Sequence, residues 1–211
     1  MHSALELELG KDDLLPEPRY RPSNGRLNSV NIGDDYWAAS IEQIEAHLPY
    51  RSSLESIVAD LHKDAESGRG AIFWGNQGAG KTACACICLM EAMARGASAY
   101  FADTFELRRA FERPSKEFTP NGQPVLRIAK GRHFLAIDDL GAESLKVEFG
   151  QPPDTRFLEE VVRARNSRRL VTYITTNLSP TDLLSRFASF GTILADKSRF
   201  RLVEVSGKFW R

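Results

Sequence analysis

Eight consecutive residues, Gly75-Asn76-Gln77-Gly78-Ala79-Gly80-Lys81-Thr82, match the pattern GxxxxGK[ST] in full. Glycines at this spacing let the backbone bend until several N–H groups face one anion, and a helix opening behind them adds its dipole. A lysine at the seventh position sets a point charge against β- and γ-phosphates, and a threonine hydroxyl at the eighth reaches Mg²⁺. All eight residues are therefore candidates for holding ATP, with Thr82 also a metal ligand. Downstream, Phe134-Leu135-Ala136-Ile137-Asp138-Asp139 is an apolar run ending in two carboxylates. Such a strand carries acids where it emerges at the carboxyl edge of an open sheet, the edge at which ligands bind. Asp138 is expected to hold Mg²⁺, directly or through water, and Asp139 to orient or deprotonate an attacking water.

Those residues need a sheet that presents several strand ends side by side. Short apolar runs at 71–75, 98–104, 133–139, 170–177 and 201–206 read as strands. They are separated by helical patterns at 81–95, 105–111, 155–165 and 181–190. Strands alternating with helices predict a largely parallel sheet covered on both faces. The strand at 170–177 ends in Asn177, a polar group where a γ-phosphate sensor would sit. Ahead of the core, Leu54, Ile57, Val58 and Leu61 recur at helical spacing, with Ser52 or Ser53 as a candidate cap. Three segments follow from this patterning. Residues 1–35 are expected to form a flexible acidic arm, with five acids against one base over the first eighteen. Residues 36–67 form a helical lead-in, and residues 68–211 the ATPase core.

Composition narrows the functional classes. The 211 residues carry 28 basic and 28 acidic side chains, so a polybasic nucleic-acid coat is excluded and any such contact must be local. No apolar run approaches the length of a membrane span, and no basic-then-apolar leader opens the chain. Cys84, Cys86 and Cys88 read as buried reduced thiols rather than a metal site, which suits a cytoplasmic protein.

The succession GNQGAGKT, FLAIDDLGAE, TYITTNLSPTDL and a late DKSRF resembles the AAA+ ATPases of the DnaC-type helicase-loader and IstB-type transposition-helper group. Ile32 to Ser40 is similar to that group's segment just before its core, so the resemblance runs from about Ile32 to Arg211. It implies a P-loop fold with a five-stranded parallel sheet ordered 5-1-4-3-2, helices on both faces and no lid domain. Carried over by position, it implies phosphate and Mg²⁺ binding at Lys81 and Thr82, Mg²⁺ at Asp138, water handling at Asp139 and a first sensor at Asn177. Arg199, in Ser198-Arg199-Phe200, matches the arginine finger that a neighbouring subunit inserts; Arg186 and Arg201 are alternatives. The implied partners are a replicative helicase or a transposase-type protein, further copies of the chain, and single-stranded DNA.

The DNA expectation has a local footprint. Phe105, Arg108, Arg109, Phe111, Arg113, Lys116 and Phe118 interleave aromatics with bases, a pattern suited to stacking and phosphate tracking and equally to an ordinary amphipathic helix. A second basic cluster, Arg163, Arg165, Arg168 and Arg169, reads as solvated. Two other functions fit a phosphate cradle: a small-molecule or nucleoside kinase, and an ATP-binding adaptor that does not hydrolyse. The sensor-like Asn177 and the late Arg199 disfavour the kinase.

Overall fold

In a computed structural model of the chain, residues 21–141 and 155–207 are described. The expectations for residues 1–20, for Ala142 and Glu143 of the acid motif's continuation, and for Arg211 lie outside them. Five strands carry the fold: β1 (Gly70–Trp74), β2 (Ala99–Asp103), β3 (Phe134–Asp138), β4 (Val171–Thr176) and β5 (Phe200–Glu204). They form one sheet in the order β2-β3-β4-β1-β5, each pairing parallel. This is the expected 5-1-4-3-2 order read from the other edge, with β4 between the cradle strand and the acid strand. Every residue of β3 and of β4 is buried, as befits central strands covered on both faces.

One face is covered by the lead-in, α2 (Pro49–Ala59) and α4 (Lys81–Ala94). The helix α4 is apolar over most of its surface, and all its residues but Thr82 and Glu91 are buried. Its three cysteines are free and buried, and burial raises their thiols, Cys84 to about 12, so they stay protonated and unreactive. The other face is covered by α5 (Thr104–Glu112), α6 (Val125–Gly131), α7 (Arg156–Ser167), α8 (Pro180–Arg186) and α9 (Gly191–Ala195).

Four details differ from expectation. The stretch 22–35, expected within a flexible arm, is folded: α1 (Asn24–Ser29) is capped by the Ser23 hydroxyl, and Leu27 and Ile32 are buried in the core. Helix α2 starts at Pro49 rather than at a serine cap, because proline's fixed φ suits the first helical position. The helix expected over 181–190 stops at Arg186 and resumes at Gly191. Phe187 leaves helical geometry (ψ 40°) and packs on Phe190 with ring centroids 5.4 Å apart, which draws both rings into the core.

Arg165 is the fourth, and it is not solvated but completely buried. Its guanidinium donates to Thr172 Oγ1 (2.9 Å) and to the carbonyls of Ala129 (2.7 Å), Arg132 (2.8 Å), His133 (3.2 Å) and Val171 (2.6 Å). It thereby pins α7 to the end of α6 and to the segment that enters β3. Leu158, Val161, Val162 and Arg165 share one face of α7, so the arginine completes an apolar stripe.

Candidate nucleotide site

The parallel sheet brings the carboxyl ends of β1, β4 and β3 to one edge, and with them the three motifs. The cradle follows β1. Gly75 has φ 145°, and a side chain there would come within 2.2 Å of the Val205 carbonyl. Gly80 caps α4 with φ 100°, a conformation that aims the turn's N–H groups ahead of the helix. Behind it Lys81, only 5% exposed, donates from Nζ to the Asn76 carbonyl and to Asn177 Oδ1, each at 2.7 Å. Burial lowers its pKa, opposed by the charges of Asp139 and Asp138. The cradle lysine and the expected sensor are therefore in direct contact, although 96 positions apart.

Thr82 Oγ1 donates to Asp138 Oδ1 at 2.9 Å, joining the start of α4 to the end of β3. A hydroxyl and a carboxylate at this separation, beside a phosphate cradle, fit the hard-oxygen donor set that Mg²⁺ takes when substrate phosphates complete its shell. Burial raises the Asp138 carboxyl above the ordinary range, with hydrogen bonds from Thr175 and Thr82 pulling the other way. Among the described residues no cluster of three His, Cys, Asp or Glu side chains is placed to hold a metal, so the protein offers this pair rather than a closed cage. Asp139 is exposed and has a left-handed backbone, φ 55°, which aspartate tolerates better than most residues. That turn separates the roles expected of the two acids, one buried against Thr82 and one open to solvent.

Several residues of this edge carried no sequence expectation. Thr175 and Thr176 end β4 with buried hydroxyls that bond to the acid loop. Thr104 Oγ1 donates to the Asp138 carbonyl at 2.7 Å. Asp103 pairs in register with Asp138 across the β2–β3 ladder and caps α5 by accepting from Glu106 N. Tyr36, from the lead-in, is half-buried, and burial together with the nearby charge of Asp138 raises the pKa of its hydroxyl. Nothing in the sequence singled these residues out, since threonine is common in strands.

Arg199 lies elsewhere. Its carbonyl accepts from Gly70 N at the start of β1, so it sits at the sheet edge opposite the cradle. Its Nε donates to Asn166 Oδ1 at 2.8 Å, and its remaining donors reach the Asn166 and Ser67 carbonyls. Arg201 is held at 2.6 Å from Asp64 and 3.1 Å from Asp60, an ion pair that fastens β5 to α3 (Leu61–Ser67) and its cap. Arg186 is exposed. On the candidate DNA patch, Phe105 and Phe118 are each half exposed, while Leu107 and Ala110 turn inward. Arg108 pairs with Glu112 and Arg109 with Glu117.

No protein-family model matches the sequence. The replicative helicase loader DnaI of Bacillus subtilis (strain 168) is 25% identical over 164 residues, 76% of this chain. The chain spans 51% of that protein's length. Among solved structures, a DnaC helicase loader superposes with a TM-score of 0.66 at 22% identity, covering 82% of this chain and all of that one. AMPPCP-bound DnaA from Aquifex aeolicus gives 0.62 at 16% identity, covering 80% of this chain and 50% of that one. Sequence relative and shared fold agree with the resemblance carried by the motifs.

Proposed function

We propose that this chain, an AAA+ protein related to the DnaC-type helicase loaders, binds Mg²⁺ and ATP at the β1–β4–β3 edge and hydrolyses ATP when assembled. In this reading the cycle governs delivery of a replicative helicase onto single-stranded DNA in the cytoplasm. The observation that carries the proposal is the junction of Lys81 with Asn177 beside that of Thr82 with Asp138. Groups from the cradle, the acid strand and the sensor strand meet there, which supports a phosphoryl-transfer reading.

The chemistry follows from what each group can do. Backbone N–H groups of 75–82 receive the phosphates, and the Lys81 ammonium turns from Asn76 and Asn177 toward them. Thr82 and Asp138 would hold Mg²⁺, which when bound neutralises charge on the β- and γ-phosphates. Asp139, exposed beside them, orients the attacking water and accepts its proton. Asn177 places an amide where the γ-phosphate oxygens gather. Arg199, at the opposite edge, is assigned to the ATP of a neighbouring copy, which it would reach only across a subunit interface. Its contacts with Asn166 and Ser67 hold it at that edge. Phe105 and Phe118 offer stacking surfaces for bases, with Arg108, Arg109 and Lys116 along the phosphates.

The DnaI relationship supports the helicase as partner, and the cradle supports the nucleotide. The deciding experiment measures ATP hydrolysis with and without single-stranded DNA, and then helicase unwinding on protein-coated single strands with and without this chain. ATP-dependent stimulation of the helicase is expected. Phosphate transfer to a small molecule, or no effect on any helicase of the same cell, would overturn the assignment.

A further inference from the structure

β4 closes with Thr175 and Thr176 where a fully buried central strand would ordinarily carry branched aliphatics, and both side chains are completely enclosed. A buried hydroxyl without partners is costly, so its bonds show what it is there to hold. Thr175 Oγ1 donates to Asp138 Oδ1 at 2.6 Å and accepts from Asp139 N at 2.9 Å. A single hydroxyl thus grips the carboxylate of the metal acid and the backbone of the water acid. Thr82 addresses the same oxygen, Oδ1, from the opposite element, so the plane of the Asp138 carboxylate is set between two hydroxyls. The next turn is bracketed as well: Leu140 N donates to the Thr175 carbonyl at 2.8 Å, and Thr176 Oγ1 donates to the Leu140 carbonyl at 2.6 Å. Asn177 follows directly.

We infer that Thr175 is a positioning residue for nucleotide hydrolysis, orienting Asp138 for Mg²⁺ and holding the left-handed turn that presents Asp139 to water. It touches neither nucleotide nor metal and acts through the two acids. The inference rests on the nucleotide-site reading above. The same strand end carries Asn177, so this hydroxyl links the sensor's strand to the acid loop.

The test compares wild type, Thr175→Val, which keeps the shape and removes the hydroxyl, and Thr175→Ser, which restores it. A fluorescent ATP analogue is titrated onto each full chain without metal and then with increasing Mg²⁺, and hydrolysis is followed at saturating nucleotide. Thermal unfolding confirms that each variant is folded. Thr175→Val is expected to bind the metal-free analogue within about twofold of wild type, while the Mg²⁺ needed for half-maximal binding rises about tenfold and kcat falls at least as much. These are the changes expected on losing a hydrogen bond to a charged group. Thr175→Ser recovers both. Equal Mg²⁺ dependence in Thr175→Val and wild type would overturn the inference, as would an equal loss of metal-free binding or a failure of serine to rescue. Wild type that shows no Mg²⁺-assisted binding would instead overturn the nucleotide site itself.

Discussion

Arg165 illustrates how a cation enters a core when carbonyls and a hydroxyl receive it. All five of its hydrogen bonds go to neutral acceptors, and burial pulls its pKa down to about 9. Substitution by methionine fills similar space but removes the donors that four carbonyls and the Thr172 hydroxyl accept from, so Arg165→Met should lower stability by about 2–4 kcal/mol in urea unfolding. An unchanged midpoint would contradict the structural role. Asn177 makes the complementary case, a residue proposed for chemistry. Asn177→Ala is expected to bind Mg²⁺ and ATP nearly as wild type and to hydrolyse about a hundredfold more slowly, since it removes one fixed dipole aimed at developing charge. Single-turnover measurement separates the two effects. The juxtaposition of 75–82, 138 and 177 at one sheet edge was legible because this glycine spacing, followed by strands that end in polar groups, is rare outside phosphate sites. Thr175 was not, since threonine is common in strands and only the fold shows what its hydroxyl meets. Arg165 could have been read from its place on the apolar stripe of α7.

At the scale of elements, the segment 22–35, ahead of the lead-in, does more than precede the core. Val30 accepts from Phe101 N at 3.0 Å and Asn31 Nδ2 donates to the Phe101 carbonyl at 3.1 Å, which covers the β2 edge of the sheet. Asn31 also donates to Glu106 Oε2, whose other oxygen accepts from Tyr100. Burial, with Asp103 and Glu117 nearby, raises Glu106 from 4.5 to about 7, against the opposing Tyr100 bond and Arg109. The folded chain therefore keeps this proton to higher pH than the unfolded chain. Stability from this group is full below about pH 4.5, falls as pH rises toward 7, and is level above it. Glu106→Gln should flatten that slope, measured as urea midpoints at mildly acidic and mildly alkaline pH; a slope identical to wild type would contradict it. The lead-in that follows brings Tyr36 close to the charge of Asp138. The segment 22–35 was misjudged in the sequence because its apolar residues, Leu27 and Ile32, are sparse and fall outside a long periodic run.

For the whole molecule, strand-helix alternation made a parallel sheet legible, and the strand order followed from the family resemblance that the motif succession carries. The path of the chain over the sheet's edges was not. Nor was the distance between the cradle and Arg199, which occupy opposite ends of the parallel strands. That separation makes assembly part of the proposed mechanism. Arg199→Ala should bind ATP as wild type does while losing the rise in specific ATPase activity with protein concentration, and a rise equal to that of wild type would remove Arg199 from the interface. The central claim is that phosphates lie between the cradle and the metal-holding acid. Calorimetric titration of ATP into wild type and Lys81→Ala in Mg²⁺ tests it most directly. Saturable one-to-one binding by wild type, abolished in the variant, is the expected result; no binding by wild type, or equal binding by both, would contradict it.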